Sequence, residues 1–221
     1  MLETDKIKKA ADTLISKINI IKEKLTEVSR PETIIKIEMP SKEIFCGEII
    51  RPDTDIISFD KPAGLYKELK NIYKKNKEDK HYVIYVISVK NILKVININE
   101  TRKKFNYLKR KSYCLSRIID SHWKKSSCLY VGSSQDIITR LKQHLGINTK
   151  GKIKSTTTYA LYLNAWLPKY IRENTITIDI YRFNAKTFGI KTEIKIQNYL
   201  QITEDLLWEV NKPLFGKQGA K

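Results

Sequence analysis

The chain has 221 residues, 41% hydrophobic and 30% charged, and its 42 Lys and Arg against 24 Asp and Glu leave a formal net charge of +18. This is enough apolar material for one good core, or one domain with an appendage, and it excludes a disordered tail. The charge predicts a polyanionic partner bound with steep salt dependence; nucleic acid leads over a membrane surface, since no run approaches about 18 apolar residues and no lipidation signal is present.

The opening MLETDKIKKAADTLISK is charged throughout and lacks the apolar region of a secretory leader, so the expected location is intracellular and cytoplasmic. Residues 3–29 predict one long helix whose apolar positions Ile7, Ala11, Leu14, Ile18, Ile21, Leu25 and Val28 step alternately by four and three. That is a heptad seam over about three repeats, near the shortest length at which a coiled coil forms. It reads either as an arm that makes a homodimer or holds a partner, or as an amphipathic helix lying on the main domain. Pro31 ends it. Residues 33–60 alternate short β-rich runs, TIIKIEM, EIFCGEII and DIISF, with proline and glycine breaks. A helix from Gly64 to Lys80 follows, Leu65, Leu69 and Ile72 inward and its lysines outward. Pro52-Asp53 with Glu68-Leu69-Lys70 loosely matches the PD...ExK pattern of one nuclease class, but that pattern needs its ExK on a strand and here it falls in a helix. Residues 1–80 therefore read as a helical and β-containing extension, ahead of a main domain at 81–221.

HYVIYVISVK, residues 81–90, is the strongest strand signal, a continuous β-branched and aromatic run suited to a central position. Thr101 to Lys125 then carries Arg102, Lys103, Lys104, Lys109, Arg110, Lys111, Arg117, Lys124 and Lys125 against the single acid Asp120. Phe105, Tyr107, Tyr113 and Trp123 are interleaved with them. Cations for phosphates and aromatics for bases make a nucleic-acid surface; the alternative is a solvated helical insertion. In CLYVGSSQDIITRLKQHLG, from Cys128 to Gly146, a strand should end at Gly132, and Ser134 should cap a helix that Gly146 stops. Arg140 and His144 sit four apart on that helix and project from one face, which suits an anionic phosphodiester. Lys142, Lys152 and Lys154 add to the basic surface. A helix ending near Pro168, a strand over Thr175 to Phe183 and a long helix over Lys191 to Val210 complete the chain. The last has Ile196, Leu200, Leu207 and Val210 on its inner side and also carries Glu204. Cys46, Cys114 and Cys128, with His81 and His122, are scattered without zinc spacing.

With these pieces in order, the sequence resembles the GIY-YIG nuclease superfamily over residues 82–219. Val83-Ile84-Tyr85 is similar to the first tripeptide and Tyr130-Val131-Gly132 to the second; Arg140 and His144 match the helix pair and Glu204 the acid. The resemblance implies an α/β (α+β) domain with a small, mostly antiparallel three-stranded sheet flanked by helices. It implies a metal-dependent DNA endonuclease using one Mg²⁺ or Mn²⁺. Glu204 would hold the metal, and Tyr85 would deprotonate or orient the attacking water. Tyr130 would lie beside the scissile phosphate, Arg140 would bind its oxygens, and His144 would hydrogen-bond a tyrosine and assist proton transfer. The size of the chain suggests a restriction or defence enzyme. Three departures stand out: Val83 replaces the first glycine, the basic segment of about 91–126 looks like an insertion, and Gly216 stands where the family often has asparagine. Two other classes remain, a nucleic-acid-binding module with a decayed catalytic set and a coiled-coil interaction protein.

Overall fold

The computed structural model describes residues 3–27, 31–38, 46–51, 53–59, 62–73, 82–90, 92, 96–123, 126–146, 159–167, 175–183 and 193–216. In chain order its elements are α1 (Glu3–Glu27), β1 (Thr33–Glu38), β2 (Cys46–Ile50), β3 (Ile57–Phe59), α2 (Pro62–Ile72), β4 (Tyr82–Val89), α3 (Ile98–Arg110), β5 (Arg117–Ile118), β6 (Cys128–Ser134), α4 (Ile137–Leu145), α5 (Leu163–Trp166), β7 (Ile176–Phe183), α6 (Glu193–Asn211) and β8 (Phe215–Gly216). The fold is α+β.

Strand β4 is almost wholly buried, as its unbroken apolar run requires, and it pairs on both sides. The sheet order is β3-β2-β1-β7-β4-β6, and every pairing is antiparallel. Three strands are expected from the sequence; the described residues form a sheet of six. The reason lies in β7, whose alternating ITIDIYRF offers a second edge, and β1 takes it with Ile35 opposite Ile178 and Ile37 opposite Ile176. Strands β2 and β3 then continue the same sheet outward. β5 and β8 make a separate two-stranded pair.

Period-two alternation sorts the side chains onto two faces. On one face Ile35, Ile37, Ile87, Ile178 and Ile180 pack with Leu65 and Leu69 of α2, Leu141 and Leu145 of α4 and Phe105 of α3. On the other, Tyr82 and Ile84 meet Leu200 of α6, with Ile196 and Leu207 partly buried against the sheet. Each fully buried Leu or Ile contributes about 1.5–3 kcal/mol by leaving water. The inner side of α6 differs at its end from the expected one: Val210 is 81% exposed, and the arc instead runs through buried Glu204 to Leu207 and half-buried Asn211. At 3.6 residues per turn either neighbour can follow Leu207, and the structure takes Asn211, whose side-chain amide donates to the Leu207 carbonyl at 2.8 Å. The helix expected before Pro168 shrinks to α5, because Tyr162 adopts φ +49 and residues 159–161 run extended against Leu115 and Ser116.

The heptad seam of α1 has Ile7 66% and Leu14 49% exposed, and Ala11 is exposed as well. No helix among the described residues is long and apolar enough to cross a membrane.

Candidate active site

Tyr85 of β4 stands opposite Gly132 of β6, and Ile87 opposite Tyr130, so both tyrosines rise from the same face of neighbouring strands. Their rings lie 6.2 Å apart and 20° from parallel, and both residues are fully buried. Gly132 makes this possible. A Cβ there would lie 2.6 Å from Tyr130 Cε1 and 2.7 Å from the Tyr85 hydroxyl oxygen. The strand therefore does not end at Gly132 as expected; it runs through it to Ser134, with the glycine leaving room for two rings.

Helix α4 covers that face. Its N-cap is Asp136, whose carboxylate accepts from the Thr139 N–H at 3.1 Å and the Thr139 hydroxyl at 2.8 Å. Ser134, expected in that role, instead accepts from the Asp136 N–H at 2.9 Å, because the strand extends further than its sequence suggests. Gly146 ends the helix at φ +75, the left-handed conformation glycine permits. Spacing of four brings Arg140 and His144 together over Tyr85. His144 is fully buried, its ring 4.5 Å from Tyr130 and 5.5 Å from Tyr85, and its Nε2 lies 2.9 Å from the Tyr85 hydroxyl.

The tautomer of His144 follows from its other nitrogen. The Leu161 backbone N–H donates to Nδ1 at 3.3 Å, so Nδ1 is an acceptor. Burial, aided by the Arg140 charge, pushes the imidazole well below its usual pKa and keeps it neutral. A neutral ring accepting at Nδ1 carries its proton on Nε2 and donates it to Tyr85. Arg140 Nε donates to the same oxygen at 3.4 Å. Nη1 of Arg140 reaches the Gln143 carbonyl oxygen of the side chain at 2.7 Å and Nη2 the Tyr159 backbone carbonyl at 3.2 Å. A guanidinium has five donors, so this anchoring leaves capacity for an incoming anion.

Burial pushes the Tyr85 hydroxyl up to about 12, against the opposing pull of Arg140, and raises Tyr130 as well. Both are neutral phenols at neutral pH. The Tyr130 hydroxyl is buried beside Arg140, whose charge opposes the rise.

Glu204 approaches from the other side of the sheet. It is 4% exposed on α6, and its Oε2 accepts the Ser133 hydroxyl at 2.5 Å. Its charge acts to raise both tyrosines. Ser133 points away from the tyrosine face by strand alternation, so Glu204 and the tyrosine cluster lie on opposite faces of the edge strand β6. Of the five predicted residues, Tyr85, Tyr130, Arg140 and His144 are thus brought together on one face of β6, and Glu204 is held on its other face by Ser133. Sequence reasoning missed Ser133 by ending the strand at Gly132, two residues too early; extending the alternation would have found it. It also missed the anchors of Arg140, Gln143 and Tyr159.

A single carboxylate with a hydroxyl beside it is a hard oxygen donor set, which fits Mg²⁺ or Mn²⁺ completed by water and phosphate. Among the described residues no three His, Cys, Asp or Glu gather as a metal group. The rival pattern does not assemble either: Glu68 sits in α2 and is ion-paired with Arg51, while Asp53 and Lys70 are exposed.

Of the predicted basic surface, Arg102, Lys103, Lys104, Lys109 and Arg110 line the outer faces of α3, with Lys111 just beyond it and Arg117 on β5, all exposed. Arg102 is paired with Asp120 at 2.5 Å, and Lys104 donates to the Trp166 carbonyl at 3.2 Å. Lys142 is half-buried with its ammonium 4.7 Å above the Tyr66 ring. Lys124, Lys125, Lys152 and Lys154 lie outside the described residues. The aromatics divide: Phe105 and Trp123 belong to the core, whereas Tyr107 is 61% exposed.

No family model, no curated protein and no solved structure matches this chain.

Proposed function

We propose that the chain is a GIY-YIG-type endonuclease that hydrolyses phosphodiester bonds in DNA with one Mg²⁺ or Mn²⁺, acting in restriction or defence in the cytoplasm. The observation that carries the reading is the gathering of Tyr85, Tyr130, Arg140 and His144 on one side of β6 with Glu204 held on its other side by Ser133. The consecutive antiparallel strands β7-β4-β6 supply the three-stranded unit such a domain needs, with β1 to β3 added to it.

The site's own groups suggest the following division of work. Glu204 would hold the metal, with Ser133 fixing the carboxylate's orientation. The bound ion supplies Lewis-acid polarisation of the phosphate and a water of lowered pKa. Arg140, anchored at three points, stabilises negative charge as it builds on the non-bridging oxygens. His144 and Arg140 both donate to the Tyr85 oxygen, which directs the phenol's own proton away from them and toward the substrate side. A phenol raised to about 12 is protonated at neutral pH, so orienting the nucleophilic water suits Tyr85 better than deprotonating it. The basic outer faces of α3 would hold the duplex backbone.

The test is cleavage of plasmid DNA at low salt. Cutting that requires Mg²⁺ or Mn²⁺, stops with EDTA and is absent from Glu204→Ala supports the reading. Salt-sensitive DNA binding with no cutting under any metal would replace the enzyme by a binding module.

Ile7, Ala11 and Leu14 of the α1 seam are exposed while Ile18 is half-buried and α1 touches α6, and from the exposed part we assign α1 to a homodimer contact. Ile7→Lys together with Leu14→Lys is expected to convert a dimer to a monomer in light scattering, with cleavage per chain retained. Unchanged mass in the double variant would remove this role.

A further inference from the structure

A cavity of about 490 Å³ lies between α3 and the segment Tyr113–Ile118, closed on one side by Tyr159. Its size falls in the range of about 300–1,000 Å³ typical of small-ligand sites. Its chemistry is sorted in space. Lys109 and Arg117, both exposed, supply cations at the mouth. Tyr159 offers a ring 37% exposed, and Asn106 an exposed amide that both donates and accepts. Ser116 lines the cavity, fully buried, and its hydroxyl has no hydrogen-bond partner among the described residues. A buried hydroxyl without a partner is unfavourable where no ligand answers it, so such a group in a cavity wall marks a place where one is expected.

The cavity adjoins the candidate active site through its backbone. The Tyr159 carbonyl that closes it accepts from Arg140 Nη2, and two residues on, the Leu161 N–H holds His144. The segment Tyr159–Leu161 is tied to the insertion by hydrogen bonds from Ser116 N–H to the Ala160 carbonyl and from Ala160 N–H to the Cys114 carbonyl. One short run of chain therefore has the anion-binding arginine on one side and a polar, aromatic, cation-rimmed cavity on the other.

We propose that this cavity receives one unpaired nucleotide of the DNA strand, the one flanking the phosphate held by Arg140. The base stacks on Tyr159, its edge is met by Asn106 and the Ser116 hydroxyl, and its phosphates rest on Lys109 and Arg117. An aromatic platform with cations at phosphate distance is the chemistry that holds nucleotides out of the helical stack. The proposal rests on the reading of the chain as a DNA-cutting enzyme only for the position of the scissile phosphate.

The test compares two DNA duplexes identical except for a single unpaired nucleotide, binding being followed by fluorescence anisotropy in EDTA so that no cutting intervenes. The wild type is expected to bind the bulged duplex about tenfold more tightly, and that ratio falls to about one in Tyr159→Ala and in Asn106→Ala. Equal affinity of the wild type for both duplexes overturns the pocket, as does a ratio unchanged in both variants. Preference for a bulge in RNA but not in DNA overturns the assignment to DNA. Because no metal is present, a protein that shows the ratio but never cuts retains the pocket and loses the nuclease; one that cuts plasmid without the ratio does the reverse.

Discussion

Glu204→Gln is expected to abolish metal-dependent cleavage, by about a thousandfold or more, while the folded chain and its DNA affinity survive. The substitution is isosteric and the amide oxygen can still accept the Ser133 hydroxyl, so the packing of α6 against β6 is kept. What disappears is the negative charge. A bound divalent ion contributes several kcal/mol to a phosphoryl transition state, and about 4 kcal/mol corresponds to a thousandfold in rate. Glu204 is 4% exposed and the amide keeps its shape, so the variant is expected to fold as the wild type does. The decisive comparison is the single-turnover rate in Mg²⁺ beside the urea midpoint in EDTA. Cleavage by Glu204→Gln at the wild-type rate would detach the metal from this residue.

The second large effect is expected from a single methyl group. Gly132→Ala puts a Cβ at 2.6 Å from one tyrosine ring and 2.7 Å from the other's hydroxyl, and neither ring can yield freely. Tyr85 is held by His144 and Arg140, and Tyr130 is wedged against His144. Overpacking of this kind costs about 1–3 kcal/mol, and in a chain of this size each kcal/mol lowers Tm by about 2–4 °C. Moving a positioned group by about 1 Å can reduce a rate by a further hundredfold. Thermal denaturation and the cleavage rate should therefore fall together in Gly132→Ala. A variant with wild-type Tm and rate would mean that the two rings are free to separate, and that Gly132 is not what brings them together.

The strongly patterned stretches were readable and the others were not, and particular residues show why. YVIYVISV and ITIDIYRF carry their pairing in their own alternation, and both are strands within a residue of the expected bounds. Arg140 and His144 needed only helical spacing to be placed on one face. The extent of β6 was hidden because Gly132 normally marks a break, whereas here it is a paired residue whose missing side chain is filled by two rings from the same sheet. Gly216 is similar. A Cβ there would meet Ile119 Cδ1 at 2.8 Å, so a larger residue would need that side chain, from a segment far away in sequence, to turn aside. The six-stranded sheet was equally hidden: nothing local to TIIKIE says that it pairs with β7, about two-thirds of the chain later. Long-range pairing is decided by which edge is open, and a sequence does not display its edges.

That pairing has a consequence for the architecture as a whole. Strand β7 lies between β1 and β4, so the first strand of the chain occupies an edge that the tyrosine-bearing strands would otherwise present to solvent. A chain beginning at residue 81 would carry every residue of the candidate site, yet it would leave the backbone donors and acceptors along β7 open to any passing strand. The N-terminal strands thus act as a built-in chaperone for the sheet, covering the flank opposite β6 and ending it in the three-residue β3, too short to template growth.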